Sequence, residues 1–309
     1  MQPIFIFSLP RSGSTLLQRI LATHNNIATA SEPWLLLPFL YSLKKEGAKA
    51  EYDHAVGVQA LQDFIAELPA GRQDFDMVLR EFAIKLYQKA ASKKGVIYFL
   101  DKTPRYSLVA EEVINLFPDG KFIFLWRNPL AVIASMIETW CAGQWKIYRF
   151  HSDLNYAMHR MISAYKAYKE NVCSVRYEDI VAEGEAAFME MFEYLEMTAP
   201  VDITTAFSKI KLNGRMGDPT GVKQYDALSQ LSIQKWKNAL RSPIRKEWCR
   251  NFLLGIGKDD LNMMGYDLHD LLQELDEIPT SFNTILSDVY FSMSGSIKNM
   301  LKRRINGFC

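Results

Sequence analysis

Residues 4–15 read Ile4-Phe5-Ile6-Phe7-Ser8-Leu9-Pro10-Arg11-Ser12-Gly13-Ser14-Thr15, an apolar run that breaks at Pro10 and passes into Leu16, Leu17, Ile20 and Leu21 at helical spacing. The β-branched and aromatic run predicts a strand over 4–9, and the three-and-four spacing predicts a helix over 14–22. A tight turn between them leaves the first N–H groups of the helix unpaired and aims the positive end of its dipole at the turn, which favours a bound anion. The same alternation recurs downstream. Strands are predicted at 96–100, 121–126 and 172–175, with helices over 108–116, 130–137 and 185–195. Strands alternating with helices imply an α/β fold, a parallel sheet flanked by helices, with ligands at the carboxyl ends of its strands.

Helical patterns at 52–68, 74–93 and 154–168 fall within insertions spanning about 35–94 and 140–171. They are expected to cover the sheet and shape a cleft. After Pro200 the pattern becomes irregular, with Gly214, Gly217, Pro219 and Gly221 crowded before helical stretches around Trp236 and Trp248. The whole chain, 1–309, reads as a single domain with a C-terminal helical region.

Charge and composition exclude several classes. The 36 Lys+Arg and 35 Asp+Glu leave a formal charge of +1, which argues against a dedicated nucleic-acid binder. The apolar stretch 34–41 contains Pro38 and falls far short of the ~18 residues of a membrane span. No basic segment precedes the first apolar run as in a secretory leader, so a cytoplasmic location is expected. Cys141, Cys173, Cys249 and Cys309 form no CxxC pair, and no His lies at zinc-finger spacing; neither a disulfide framework nor a metal site is expected.

The turn at 8–15 is a phosphate cradle with two departures from the Walker A pattern. Its first glycine position is Ser8 and its lysine position is Ser14. The strand at 121–126 ends at Arg127 where a nucleoside-triphosphate enzyme would hold magnesium on an aspartate. Arg11 inside the turn and Arg127 at a neighbouring strand end supply guanidinium forks for two separate phosphates without a metal. Ser135 follows Arg127 by eight residues, about two helical turns along the next helix.

These elements resemble those of the sulfotransferases that use 3′-phosphoadenosine-5′-phosphosulfate (PAPS). The likeness rests on Pro10-Arg11-Ser12-Gly13-Ser14-Thr15 as a 5′-phosphosulfate loop, Arg127-Asn128-Pro129 through Ser135 as a 3′-phosphate motif, and Arg176-Tyr177-Glu178-Asp179 after a later strand. It extends from residue 3 to about 181 and is nearest in flavour to the protein-tyrosine, carrier-linked and carbohydrate enzymes.

The resemblance implies a P-loop-like nucleotide-binding fold, PAPS as co-substrate, 3′,5′-bisphosphoadenosine as product, no metal, and sulfuryl transfer to a hydroxyl. It implies Glu32, in Ala30-Ser31-Glu32-Pro33, as base, and Lys102, in Asp101-Lys102-Thr103-Pro104, as a cation on the leaving group beside Arg11. Lys102 has a competing reading as a structural ion pair with Asp101 or Glu32, and Asp101 is read as loop support. Donor-binding residues are then Arg11, Ser12, Gly13, Ser14, Thr15, Arg127, Ser135, Tyr177 and Lys223, with Lys235 competing for the last place. His24 is the alternative base; its predicted place at the C-terminal end of the first helix, where the dipole favours an imidazolium, suits a structural role.

The acceptor is read as a saccharide or saccharide-bearing lipid, with Trp140, Trp145 and Tyr148 available either to stack on a ring or to pack. A peptide tyrosine or a small alcohol is the alternative acceptor. A kinase with a degenerate loop and a non-catalytic nucleotide-binding module are the alternatives of another class. At the C-terminus Ile297, Met300, Leu301, Ile305 and Phe308 alternate with Lys298, Lys302, Arg303 and Arg304, a pattern that fits either a packed terminal helix or peripheral contact with an anionic membrane.

Overall fold

The computed structural model describes residues 1–91, 95–212 and 235–306, apart from the side chains of residues 204, 235 and 296–306. Five strands form one parallel sheet: β1 (Gln2–Phe7), β2 (Ile27–Thr29), β3 (Tyr98–Asp101), β4 (Lys121–Trp126) and β5 (Cys173–Arg176), in the order β2-β3-β1-β4-β5. β1 is central because Ile4, Phe5, Ile6 and Phe7 are apolar on both faces; all four are fully buried. Its neighbours are in register at Phe5↔Asp101 and Phe5↔Phe122.

The strand period of two divides the core in half. Phe5, Phe7, Phe99, Phe122, Phe124 and Trp126 lie on one face, whereas Ile4, Ile6, Leu100, Ile123 and Leu125 lie on the other. The aromatic face packs by ring contact: Phe5 stacks on Phe122 at 5.8 Å, Phe7 tilts on Phe124 at 5.1 Å, and Tyr87 stacks on Phe99 at 4.5 Å. The helix supplying Tyr87, Arg72–Ala90, closes that face with Ala110–Leu116, Pro129–Cys141 and Met158–Tyr168. The aliphatic face is covered by α1 (Ser14–Leu21), through Leu16, Leu17 and Ile20, and by the helices Tyr177–Glu183 and Glu185–Tyr194.

Expected elements lie close to the observed ones. The strand expected over 4–9 runs instead over Gln2–Phe7, because Ser8, Leu9 and Pro10 already belong to the turn. The three-residue β2 was not anticipated; a strand that short carries no detectable period. The helix Tyr177–Glu183 was also unanticipated, starting directly where β5 ends.

The helix Ile285–Asn306 is fastened by a buried pair, in which Arg245 donates from Nε to Asp288 at 2.9 Å and from Nη2 at 2.7 Å. The same guanidinium lies 5.4 Å from the Trp145 ring centre, and Trp145 meets Trp248 edge-on at 5.7 Å. Trp145 is therefore core. The C-terminal amphipathic pattern falls on side chains outside the described residues. Among the described residues, no helix is long and apolar enough to cross a membrane.

Candidate active site

All five strands point their carboxyl ends to one edge, and each end carries a residue marked by the sequence. Across the sheet the succession is Glu32 beyond β2, Lys102 after β3, the 8–15 turn after β1, Arg127 after β4 and Tyr177 after β5. Parallel pairing makes this line unavoidable.

The turn at the centre is shaped for an anion. Arg11 and Gly13 adopt positive φ, +71° and +90°, and Gly13, at the N-cap of α1, has no side chain to offer the helix's first N–H groups. A Cβ at residue 13 would lie 2.3 Å from Tyr177 Cδ2, so only glycine fits beneath that ring. Ser12, Ser14 and Thr15 are buried in the turn and the first helical positions.

On the β4 side, Arg127 donates from Nη1 to the Arg11 carbonyl at 2.7 Å and stacks on the Tyr177 ring at 4.3 Å. Its Nε is buried and has no hydrogen-bond partner among the described residues. Ser135 meets Arg11 rather than Arg127: Arg11 Nε donates to Ser135 Oγ at 3.2 Å. The two arginines expected to serve separate phosphates are thus linked.

Beyond Tyr177 the strand-end motif serves as scaffold. Glu178 accepts from the Asn128 N–H at 3.0 Å and from the Tyr266 hydroxyl at 2.6 Å, while Arg176 forks onto Asp179 and donates to the Gly265 carbonyl at 2.7 Å. Tyr266, 88 residues from Glu178, was missed by sequence reasoning. Burial and the Glu178 carboxylate raise its phenol pKa well above the usual value.

On the β2–β3 side, Lys102 Nζ lies 2.8 Å from Glu32 Oε1 and 3.3 Å from Thr15 Oγ1. The ammonium thus touches both the carboxylate and the turn. Lys102 is 1% exposed and Glu32 12%, so the pair is largely withdrawn from water. The Glu32 segment is anchored by Gln18, whose Nε2 donates to Thr29 Oγ1 and to the Ala30 carbonyl, both at 2.7 Å. Trp34, also missed by sequence reasoning, donates its indole N–H to Glu32 Oε2 at 3.2 Å from a backbone at φ +55°, a strained conformation for so bulky a residue.

His24 stands apart, three residues past the far end of α1, a helix about 12 Å long. Its Nδ1 accepts from the Asn26 N–H at 3.1 Å and its ring lies against Phe192. Burial lowers its pKa, so the dipole-favoured imidazolium gives way to a neutral acceptor. Tyr148 packs over Gly295, whereas Trp140 remains 40% exposed with the Arg11 guanidinium 5.9 Å from its ring centre.

Lys223 lies outside the described residues, as does the side chain of Lys235. Among the described residues, Asp267, His269 and Asp270 bring ligand atoms within 4.8 Å, but all are exposed and Asp267 is engaged in capping the helix Leu268–Glu277.

Comparison with known proteins places this geometry among relatives. The sequence pattern described as "Sulfotransferase family" matches residues 3–200. Nodulation protein NoeE of Sinorhizobium fredii is 37% identical over 136 residues, 44% of this chain and 31% of that protein. The protein-tyrosine sulfotransferase of Drosophila melanogaster is 24% identical over 199 residues, 63% of this chain and 38% of that protein. The matches thus span about a third of the length of these relatives. The solved sulfotransferase domain from the curacin biosynthetic pathway superposes with a TM-score of 0.55, covering 86% of this chain and 98% of that domain at 19% identity, a likeness of fold.

Proposed function

This chain belongs to the sulfotransferase family, and on that premise we propose that it moves a sulfuryl group from PAPS to an acceptor hydroxyl in the cytoplasm, without a metal. The observation that carries the reading is Lys102, which bridges the phosphate turn at Thr15 and the carboxylate of Glu32. A base and a cation are thereby held at the edge of one anion site.

The residues fit the nucleotide on three counts. The N-cap Gly13 brings no side chain to the start of α1, its bare Cα leaves room that a Cβ would fill, and Arg127 keeps a buried Nε without a partner among the described residues. Arg11, Ser12, Gly13, Ser14 and Thr15 would hold the 5′-phosphosulfate. Arg127 and Ser135 would hold the 3′-phosphate, with Tyr177 beneath Arg127, and Lys223 is assigned a closing contact.

The bound donor supplies an electrophilic sulfur with a phosphate leaving group. Glu32 takes the acceptor's hydroxyl proton as the oxygen attacks. Lys102 and Arg11 neutralise charge accumulating on the departing phosphate oxygen, in a site already formed and largely dry.

The proposed acceptor is a saccharide or saccharide-bearing lipid. Two indoles support this: Trp34, 37% exposed and bonded to Glu32, and Trp140 beside Arg11. Indole faces suit the C–H surface of a sugar ring, while Glu32 is near enough to select a hydroxyl. Release of 3′,5′-bisphosphoadenosine from PAPS, measured with oligosaccharide, tyrosyl-peptide and simple-alcohol acceptors, is expected to show the oligosaccharides ahead by ~10-fold or more in kcat/KM, about 1.4 kcal/mol in the transition state. Preference for the tyrosyl peptide would reject the saccharide assignment and leave the transfer reaction standing.

A further inference from the structure

Beneath the Glu32–Lys102 pair lies a carboxylate with no solvent access. Asp101 ends β3 and is fully buried, accepting from Tyr87 Oη at 2.6 Å, Thr103 Oγ1 at 3.0 Å and Tyr106 Oη at 3.0 Å. Two of these hydroxyls have a second task. Thr103 Oγ1 accepts from the Trp34 N–H at 3.3 Å, and Tyr106 Oη accepts from the Leu36 N–H at 3.1 Å. The third, on Tyr87, belongs to the helix Arg72–Ala90 and touches nothing in the 32–36 turn through any described bond.

The geometry points to Asp101 as a positioning residue, which holds the 32–36 turn through Thr103 and Tyr106 and so keeps Glu32 against Lys102 and the Trp34 indole against Glu32. The inference rests on Glu32 being the base. Its logic is one of hydrogen-bond direction. An ionised carboxylate only accepts, so all three hydroxyl protons turn toward it, leaving the Thr103 and Tyr106 oxygens free to accept from the backbone of the turn. Burial pushes the Asp101 pKa up to about 6, held back by its three donors, so at pH 7 the carboxylate remains mainly ionised. The strained φ of Trp34 requires such support, because an unsupported turn would relax it. An amide at 101 would offer its own N–H groups and turn a hydroxyl proton toward the backbone donor.

Three conservative variants remove one hydrogen bond each from the same carboxylate. Tyr106→Phe and Thr103→Val also release the turn, whereas Tyr87→Phe does not. In the full chain, kcat is expected to fall roughly 10-fold or more in the first two and to stay within about twofold in Tyr87→Phe, with 3′,5′-bisphosphoadenosine affinity unchanged in all three. The Trp34 indole ¹H–¹⁵N resonance, assigned by its disappearance in Trp34→Phe, should shift in Tyr106→Phe and Thr103→Val and hold still in Tyr87→Phe. Equal kcat in all three variants, or an indole signal unmoved by Tyr106→Phe, would reduce Asp101 to an ordinary core carboxylate. If Glu32→Gln leaves turnover intact, the base assignment fails, and the indole signal still decides whether Asp101 sets the turn.

Discussion

Glu32→Gln should lower turnover by ~10²- to 10⁴-fold while leaving 3′,5′-bisphosphoadenosine affinity nearly unchanged. The substitution is close to isosteric, so Gln18 still anchors Ala30, and Lys102 still finds a carbonyl oxygen where it had a carboxylate. Only the capacity to accept a proton is removed. His24→Ala should cost far less, because that imidazole is engaged with the Asn26 N–H and faces Phe192, away from the turn. Steady-state kinetics beside calorimetry on the same preparations separates the two quantities. Full turnover in Glu32→Gln, with loss in a folded His24→Ala, would transfer the role of base to His24.

Arg127→Ala should weaken 3′,5′-bisphosphoadenosine binding roughly 10- to 150-fold, the equivalent of one charge-assisted contact of ~1.5 to 3 kcal/mol. The guanidinium also donates to the Arg11 carbonyl and lies on Tyr177, so truncation loosens the 8–15 turn as well. AMP separates the two effects. It lacks the 3′-phosphate and should lose only the few-fold that a freed carbonyl accounts for. Equal losses for the two nucleotides would mean that Arg127 supports the turn and does not read the 3′-phosphate.

Much of this architecture was legible because its three central strands, β1, β3 and β4, are buried on both faces. The run Lys121–Trp126 has no polar residue after its first, and its observed bounds coincide with the expected ones. Pro10 and Gly13 punctuate the sequence where the chain turns between β1 and α1, so the position of that turn was legible from residue type alone. What escaped was carried by long-range contacts. Tyr266 meets Glu178 across 88 residues, and Thr103 meets Trp34 across 69, separations with no local periodicity to betray them. The stretch from Trp140 to Tyr148 left two readings open. Packing separates them, since Trp145 sits against Arg245 and Trp248 while Trp140 stays at the surface beside Arg11. His24 illustrates competition between effects: the helix dipole favours its charged form, but burial lowers its pKa.

The order of groups along the sheet edge also gives the site a polarity. Glu32 and Lys102 stand beyond β2 and β3, and Arg127 and Tyr177 beyond β4 and β5, with the 8–15 turn between them. In the proposed reading the acceptor approaches from the first side and the nucleoside lies on the second. The transferred group then moves along the row of strands, away from Arg127 and toward Glu32. This arrangement calls for an anion site read by guanidinium groups, with no part for the lysine of a Walker A loop.

The most direct test of that claim is calorimetric titration of the full chain with 3′,5′-bisphosphoadenosine in EDTA, set beside ATP with excess Mg²⁺. The bisphosphate should bind tightly and identically with or without metal, and ATP with Mg²⁺ should bind at least ~10-fold more weakly, a difference of about 1.4 kcal/mol. Tighter binding of ATP with Mg²⁺, or bisphosphate binding that EDTA abolishes, would contradict the account and point to a nucleoside-triphosphate enzyme with an altered loop.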